Sequence, residues 1–258
     1  MVKRDEITSY INKLIGSDLL EKARVKDEMA NGIQIEGALD VDVVTVGVSL
    51  NEEFLLKAIA DRSNYCIFHH GFDPRTFKSI YSRSAQQRLK IIFQNSITVM
   101  GLHYALDAHP VIGNNAQIIE KLGAKIVKPL YEEWGFVAKF SKPQSVLELK
   151  SKCNELFNRD VYHVPGTEDE IHTIGVVSGA GKPHDPQLAE LEREDVELYI
   201  SGEASESSPH KLKESGIHYF ICGHYSSEVF GVKALAEEIK KHFKERLVVE
   251  FIDVPNPL

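Results

Sequence analysis

The chain has 258 residues, 43% hydrophobic and 26% charged, enough length and apolar content for one large globular domain or two modest ones. A formal charge of −8 argues against an extended nucleic-acid surface, which draws on clustered Lys and Arg. Three cysteines, Cys66, Cys153 and Cys222, without a CxxC spacing argue against a disulfide framework or a Cys-rich zinc knuckle.

The opening MVKRDEITSYINKLIG reads as the start of an amphipathic helix rather than a signal peptide, and nothing approaches a membrane span, so a soluble, cytoplasmic protein is expected. Asn31-Gly-Ile-Gln-Ile-Glu-Gly37 ends a polar loop, holds Gln34 between apolar residues and leads into a short edge strand. A strand is expected at 43–50, a helix at 51–62, a strand at 64–70, a helix at 84–95, a strand at 96–104 and a helix at 114–123 closed by Gly123. A less regular stretch follows, with strands at 134–140 and 161–166 around a helix at 145–157. Then come strands at 171–179, 196–202, 218–224 and 246–254, with helices at 186–195, 208–216 and 231–243 between them.

Strands alternating with helices predict βαβ units, a mostly parallel sheet and an α/β fold. VTVGVSL lines up with HTIGVVSG, NYCIFHHG with ELYISGEA, and VMGLHYALD with FICGHYSSE. The halves therefore read as a diverged duplication: two similar βαβ-built domains, residues 1–125 and 126–258, with residues near the C-terminus joining the first.

Ligands of parallel α/β sheets bind beyond the carboxyl ends of the strands. His69 and His70, His103 with Asp107, and His224 with Glu228 all stand at such ends, each after an apolar run. Taken singly, an HH doublet or an H-x-x-x-D pair is ordinary, and a helix-start acid such as Glu228 can simply satisfy backbone donors. Jointly placed, they suit two divalent ions bridged by a carboxylate, with His69, His70, Asp107, His224 and Glu228 as ligands. His103 is then a further ligand or a group supporting one. Zinc, iron, manganese and nickel all fit such donors. Gly179-Ala-Gly-Lys182 follows a strand but lacks the P-loop spacing; its backbone, or Lys182, suits a phosphate. Glu203 ends the strand equivalent to the one carrying His69 and His70, as a general base or a solvent-facing acid.

NGIQIEG, FHHG, HYALDAHPVIGNNAQ, SGEASESSPH and ICGHYSSEVFGVKAL, in this order and spacing, resemble the GTP cyclohydrolase 1 type 2 homologues, the NGG-interacting-factor-three-like family, in its short prokaryotic form. The resemblance implies two similar α/β domains, a dinuclear metal site between them and a toroidal homohexamer. It carries the ligand role to the same five residues and places His103, Glu203 and His210 near the metals. Ile33 and Ile35 stand where Leu and Val are usual, and Phe72-Asp73 replaces a more aromatic pair, departures that would alter pocket shape.

Two functions are expected to compete. One is a metal-dependent hydrolase of a nucleotide-like small molecule, with Glu203 or His103 moving protons and GTP cyclohydrolase-like ring opening as its specific form. The other is a non-catalytic metal-binding, storage or scaffold protein using the same ligands.

Overall fold

The computed structural model describes residues 1–73 and 80–257; Leu258, the end of the expected second domain, lies outside them. The chain divides into two compact units: Met1–His109 with Gly231–Val254, and Pro110–Phe230 with the last residues of the chain. Both are mixed α/β. Among the described residues, no helix is long and apolar enough to cross a membrane.

In the first unit β1 (Val2–Lys3) leads into α1 (Arg4–Ile15), whose Ile7, Ile11 and Ile15 recur every four residues and are buried on one face. Gly16, at φ 93°, turns the chain into α2 (Ser17–Lys26). There follow β2 (Asn31–Ile35), β3 (Asp40–Val41), β4 (Val43–Ser49), α3 (Glu52–Ala60), β5 (Tyr65–His70), α4 (Arg83–Gln94), β6 (Thr98–Leu102) and the one-turn α5 (Tyr104–Asp107). Asn51 and Ser82 cap α3 and α4 by accepting from the Phe54 and Ala85 amides. β4, β5 and β6 are parallel, and β2 lies antiparallel on β6 as the edge strand its sequence suggested. Along β5 the side chains alternate. Cys66 and Phe68 pack with Val99 against Phe54 and Leu55 of α3 and Ile91 and Ile92 of α4. Tyr65, Ile67 and His69 take the opposite face, where the Tyr65 hydroxyl meets Thr8 Oγ1 of α1 at 2.9 Å.

The second unit contains α6 (Asn114–Leu122), β7 (Lys125–Leu130), β8 (Gly135–Ser145), α7 (Val146–Phe157), β9 (Tyr162–Val164), β10 (Glu170–Val177), α8 (Asp185–Arg193), β11 (Leu198–Ser201), α9 (Ser208–Glu214) and β12 (His218–Ile221). Its sheet runs β7-β8-β10-β11-β12-β9. One face packs Ile174, Leu198, Ile200 and Phe220 on Ile118 and Ile119 of α6 and Leu149 and Cys153 of α7. The other packs Tyr199 and Tyr219 on Leu191 of α8 and Leu212 of α9. Helices thus cover both faces of the sheet. α10 (His224–Phe243) begins in this unit and ends in the first, where β13 (Val248–Phe251) joins β4 in parallel.

The expected mostly parallel sheet holds in the first unit but not in the second. There only β10, β11 and β12 run parallel, while β7, β8 and β9 pair antiparallel. β7 escaped the pattern because KIVKPL is largely exposed and carries Pro129, a residue suited to an edge strand. Two strand ends also move. β6 stops at Leu102 and β12 at Ile221, so His103 precedes a helical turn and His224 opens α10, seven residues before the expected start. Gly223, at φ 89°, makes the second break.

β9 is held on β12 partly by a histidine pair. His163 Nε2 lies 2.9 Å from His218 Nδ1, which also accepts from the Gly166 amide at 3.1 Å, while His218 Nε2 donates to the Glu168 carbonyl at 2.7 Å. Burial, with His218 and Lys150 nearby, holds the His163 pKa below its ordinary value. Such a group binds its proton more readily when unfolded, so its contribution is present above the ordinary value of about 6.5 and is lost as pH falls below it. The urea midpoint should therefore be lower at pH 5.5 than at pH 7.5, and His163→Gln, which keeps a donor, should narrow the difference. An unchanged difference in that variant would assign the acid sensitivity elsewhere.

Candidate metal centre

The first unit brings together one set of groups that could hold a metal ion. Parallel pairing of β5 with β6 ends at Phe68 and Gly101, so His69 and His70 stand just past the last paired rung. His69 is fully buried, and its Nδ1 lies 3.0 Å from the Leu102 carbonyl, which can only accept. That bond puts the proton on Nδ1 and makes Nε2 the electron-pair donor. His69 Nε2 lies 3.5 Å from Oδ2 of buried Asp107, on α5. His70 Nδ1 is 3.0 Å from Ser49 Oγ at the end of β4, a contact that can fix the same tautomer. The potential ligand atoms of His69, His70 and His103 lie within 4.8 Å of one another.

Residues 27–34 brace this set. Asp27, whose side chain is 4% exposed, accepts from His103 Nδ1 at 2.9 Å, the Tyr104 amide at 2.9 Å, the Met29 amide at 2.9 Å and Asn31 Nδ2 at 2.9 Å. Burial works against its charge, but the bonds from His103, Tyr104 and Met29 prevail and bring its pKa down to about 2. Asn31 Oδ1 accepts from the Ala105 amide at 2.9 Å. Gln34 clamps the loop after His70, donating to the Phe72 carbonyl at 2.7 Å and accepting from its amide at 2.8 Å. Gly71 permits that approach, since a Cβ there would stand 2.1 Å from Gln34 Oε1.

The second unit holds its own cluster, on a chain of alternating charge. Lys182 Nζ donates to Glu203 Oε2 at 2.5 Å, Glu203 Oε1 is 2.5 Å from His224 Nδ1, and His224 Nε2 is 3.2 Å from Oε2 of buried Glu228, one turn along α10. Burial opposes charge on His224, but Glu228 and Glu203 outweigh it and carry its pKa up to about 9. Burial likewise opposes charge on Glu203, and Lys182 and His224 hold it below its ordinary value. An imidazole between two carboxylates needs positive charge, from a proton or from a cation.

The loop after β10 closes over this set. Ser178 donates its amide to Asn115 Oδ1 at 2.7 Å, and Asn115 Nδ2 donates to the Trp134 carbonyl at 2.9 Å. The Gly179 amide donates to Ser227 Oγ at 2.9 Å, and Ser227 Oγ donates to the His224 carbonyl at 2.9 Å. Gly179 sits at φ 57°, and a Cβ there would be 2.0 Å from Glu228 Oε1.

Within each unit the residues singled out by sequence are therefore in contact: His69, His70, His103 and Asp107 in the first, Lys182, Glu203, His224 and Glu228 in the second. Gln34 hydrogen-bonds the backbone of Phe72, two residues past His70. His210 is exposed on α9 and stands outside the Lys182–Glu203–His224 chain. Sequence reasoning missed Asp27, Ser49 and Asn115. Asn115 lies in the quoted HPVIGNNAQ stretch, but nothing local marks any of the three for these partners. Glu228 is not at the helix start: it lies a full turn inside α10 and faces His224. Gly179→Ala is expected to cost about 1–2 kcal/mol for left-handed backbone alone. It should also displace Glu228, seen as a lowered urea midpoint and weaker binding of Zn²⁺ by calorimetry; unchanged values would show that the loop yields freely.

A sequence model of the Duf34/NIF3 (NGG1p interacting factor 3) family matches residues 2–257. The chain is 32% identical over 260 aligned positions to the GTP cyclohydrolase 1 type 2 homolog of Salmonella typhimurium, spanning 99% of this chain and 100% of that one. Its counterpart from Escherichia coli K12 is 31% identical over the same span. Among solved structures, the protein ybgI, described as of unknown function, superposes with a TM-score of 0.88 at 29% identity over all of both chains. TTHA1606 from Thermus thermophilus does so with 0.84 at 27% identity, again over all of both.

Proposed function

The chain belongs to the Duf34/NIF3 family, and from that premise we propose that it is a dinuclear divalent-metal protein acting as a metal-dependent hydrolase on a nucleotide-like small molecule. The observation that carries the metal reading is the His69–Asp107 pair. An imidazole nitrogen, made an electron-pair donor by the bond of its other nitrogen to Leu102, faces a buried carboxylate at 3.5 Å. Two donors of electron pairs turned on one another suit a cation. His224 flanked by Glu203 and Glu228 has the same character.

In this reading His69, His70, Asp107, His224 and Glu228 hold two ions, and the two domains arose by duplication. Support for the duplication comes from the like order of β4-β5-β6 and β10-β11-β12, each parallel, with an antiparallel strand on its last member. Bound divalent ions supply water of lowered pKa as a nucleophile at neutral pH. Glu203 keeps His224 oriented through Nδ1, and Glu203 or His103 takes up the proton released in the reaction. Lys182 and the Gly179–Gly181 backbone meet the phosphate of the substrate, and Gln34 shapes the pocket by fixing Phe72. The names of the curated relatives motivate a guanine nucleotide as the first substrate, opened at its imidazole ring. Assembly as a toroidal homohexamer in the cytoplasm completes the reading.

One observation favours the non-catalytic alternative. The Glu203 carboxylate is engaged by both Lys182 and His224, an orienting arrangement that metal storage also requires. Protein purified without chelator should carry close to two divalent ions per chain by elemental analysis. Glu228→Ala should lose at least one of them together with hydrolysis of GTP or of another nucleoside triphosphate. Equal turnover by chelated protein would overturn the hydrolase. Failure to take up zinc, iron, manganese or nickel would overturn the metal centre itself.

A further inference from the structure

We infer that Asp27 is a positioning residue of this centre, setting the tautomer and orientation of His103 and, with Asn31, starting the helical turn that carries Asp107. Its part in the centre rests on the reading of His69, His70 and Asp107 as ligands. The contacts of Asp27 stand independently of that reading.

α5 is a single turn, too short to hold its own conformation. Its N-cap residue, His103, makes no side-chain cap to it. The first two amides of the turn are met instead from 77 and 74 residues away in sequence: Tyr104 donates to Asp27 Oδ2, and Ala105 donates to Asn31 Oδ1. Asp27 and Asn31 are joined to each other at 2.9 Å. This pair therefore does in space what a Ser or Asp at the N-cap does in sequence.

The same Oδ2 accepts from His103 Nδ1 at 2.9 Å. Oδ2 already accepts from the Tyr104 amide and from Asn31 Nδ2, which fills its lone pairs, so it has no proton to give to His103 and Nδ1 must carry one. His103 Nε2 is then the electron-pair donor of the ring. The ring itself lies with its centroid 4.8 Å from that of His69 and 5.4 Å from that of His70. A carboxylate behind an imidazole fixes the ring and raises its basicity. One buried anion thereby controls two candidate functional side chains, His103 directly and Asp107 through the turn.

The test uses the full chain as wild type, Asp27→Asn, Asp27→Ala and Asn31→Ala, with circular dichroism to establish folding. Long-range ¹H–¹⁵N spectra of histidine-labelled protein should report His103 as the Nδ1–H tautomer in wild type. In Asp27→Ala that signature should be lost, while Asp27→Asn, keeping one acceptor oxygen, should fall between. Titration of metal-free protein with Co²⁺ should give affinity reduced roughly ten- to hundredfold in Asp27→Ala, with an altered visible spectrum, and a smaller loss in Asn31→Ala. Should Asp27→Ala not fold, Asp27→Asn carries both readouts. A folded variant with the wild-type tautomer, or with wild-type Co²⁺ affinity and spectrum, overturns the role of Asp27. A wild-type chain that binds no Co²⁺ sinks the metal reading instead, and the tautomer comparison then decides Asp27 alone.

Discussion

A strand buried on both faces best carries imidazoles where a neighbouring strand stops. β5 obeys this constraint closely. Tyr65, Cys66, Ile67 and Phe68 are buried among helices on either side, and pairing with β6 ends at Phe68. The two histidines follow at once. The last residue of β6 then offers the carbonyl that fixes the tautomer of His69, because a backbone acceptor past the final rung must find a donor. The stop of β6 that makes room for the two histidines ending β5 also delivers the carbonyl that orients His69.

Burial of charge imposes the second pattern. In each unit a carboxylate stands behind a histidine at Nδ1: Asp27 behind His103, and Glu203 behind His224. A carboxylate withdrawn from water is not tolerable alone, and each of these is met by donors. Asp27 uses backbone amides and an asparagine, which makes its environment rigid and keeps it ionised. Glu203 uses a lysine, whose charge offsets one of the two carboxylates flanking His224. The first arrangement is a fixed frame, the second a line of alternating charges.

Close approach is the third requirement, and it explains particular glycines. Gly179 lets the loop after β10 lie against Glu228, and Gly71 lets Gln34 reach the Phe72 backbone. Asn115 holds the first loop and Gln34 the second, each through paired amide contacts to backbone. Amide side chains bound to main chain thus brace the loops beside the candidate ligands.

Much of this was readable from the amino-acid order alone. Period-two and period-3.6 patterns located β4, β5, α3, α4, α6, α7 and the helices and strands that follow them, because burial of one face leaves its period in the sequence. The placement of His69, His70, His103 and His224 at or just past strand ends was legible for the same reason: apolar runs stop where the sheet stops. Tertiary structure alone decided the rest. The antiparallel placement of β7 and β8 depends on pairing between distant strands, and an exposed edge bears no hydrophobic period to announce it. The early start of α10 depends on one glycine conformation that His-Tyr-Ser-Ser does not reveal. Asp27 lies far from His103 in sequence, and only folding brings a carboxylate to that imidazole; no local pattern records a hydrogen bond whose partners are set by the whole chain.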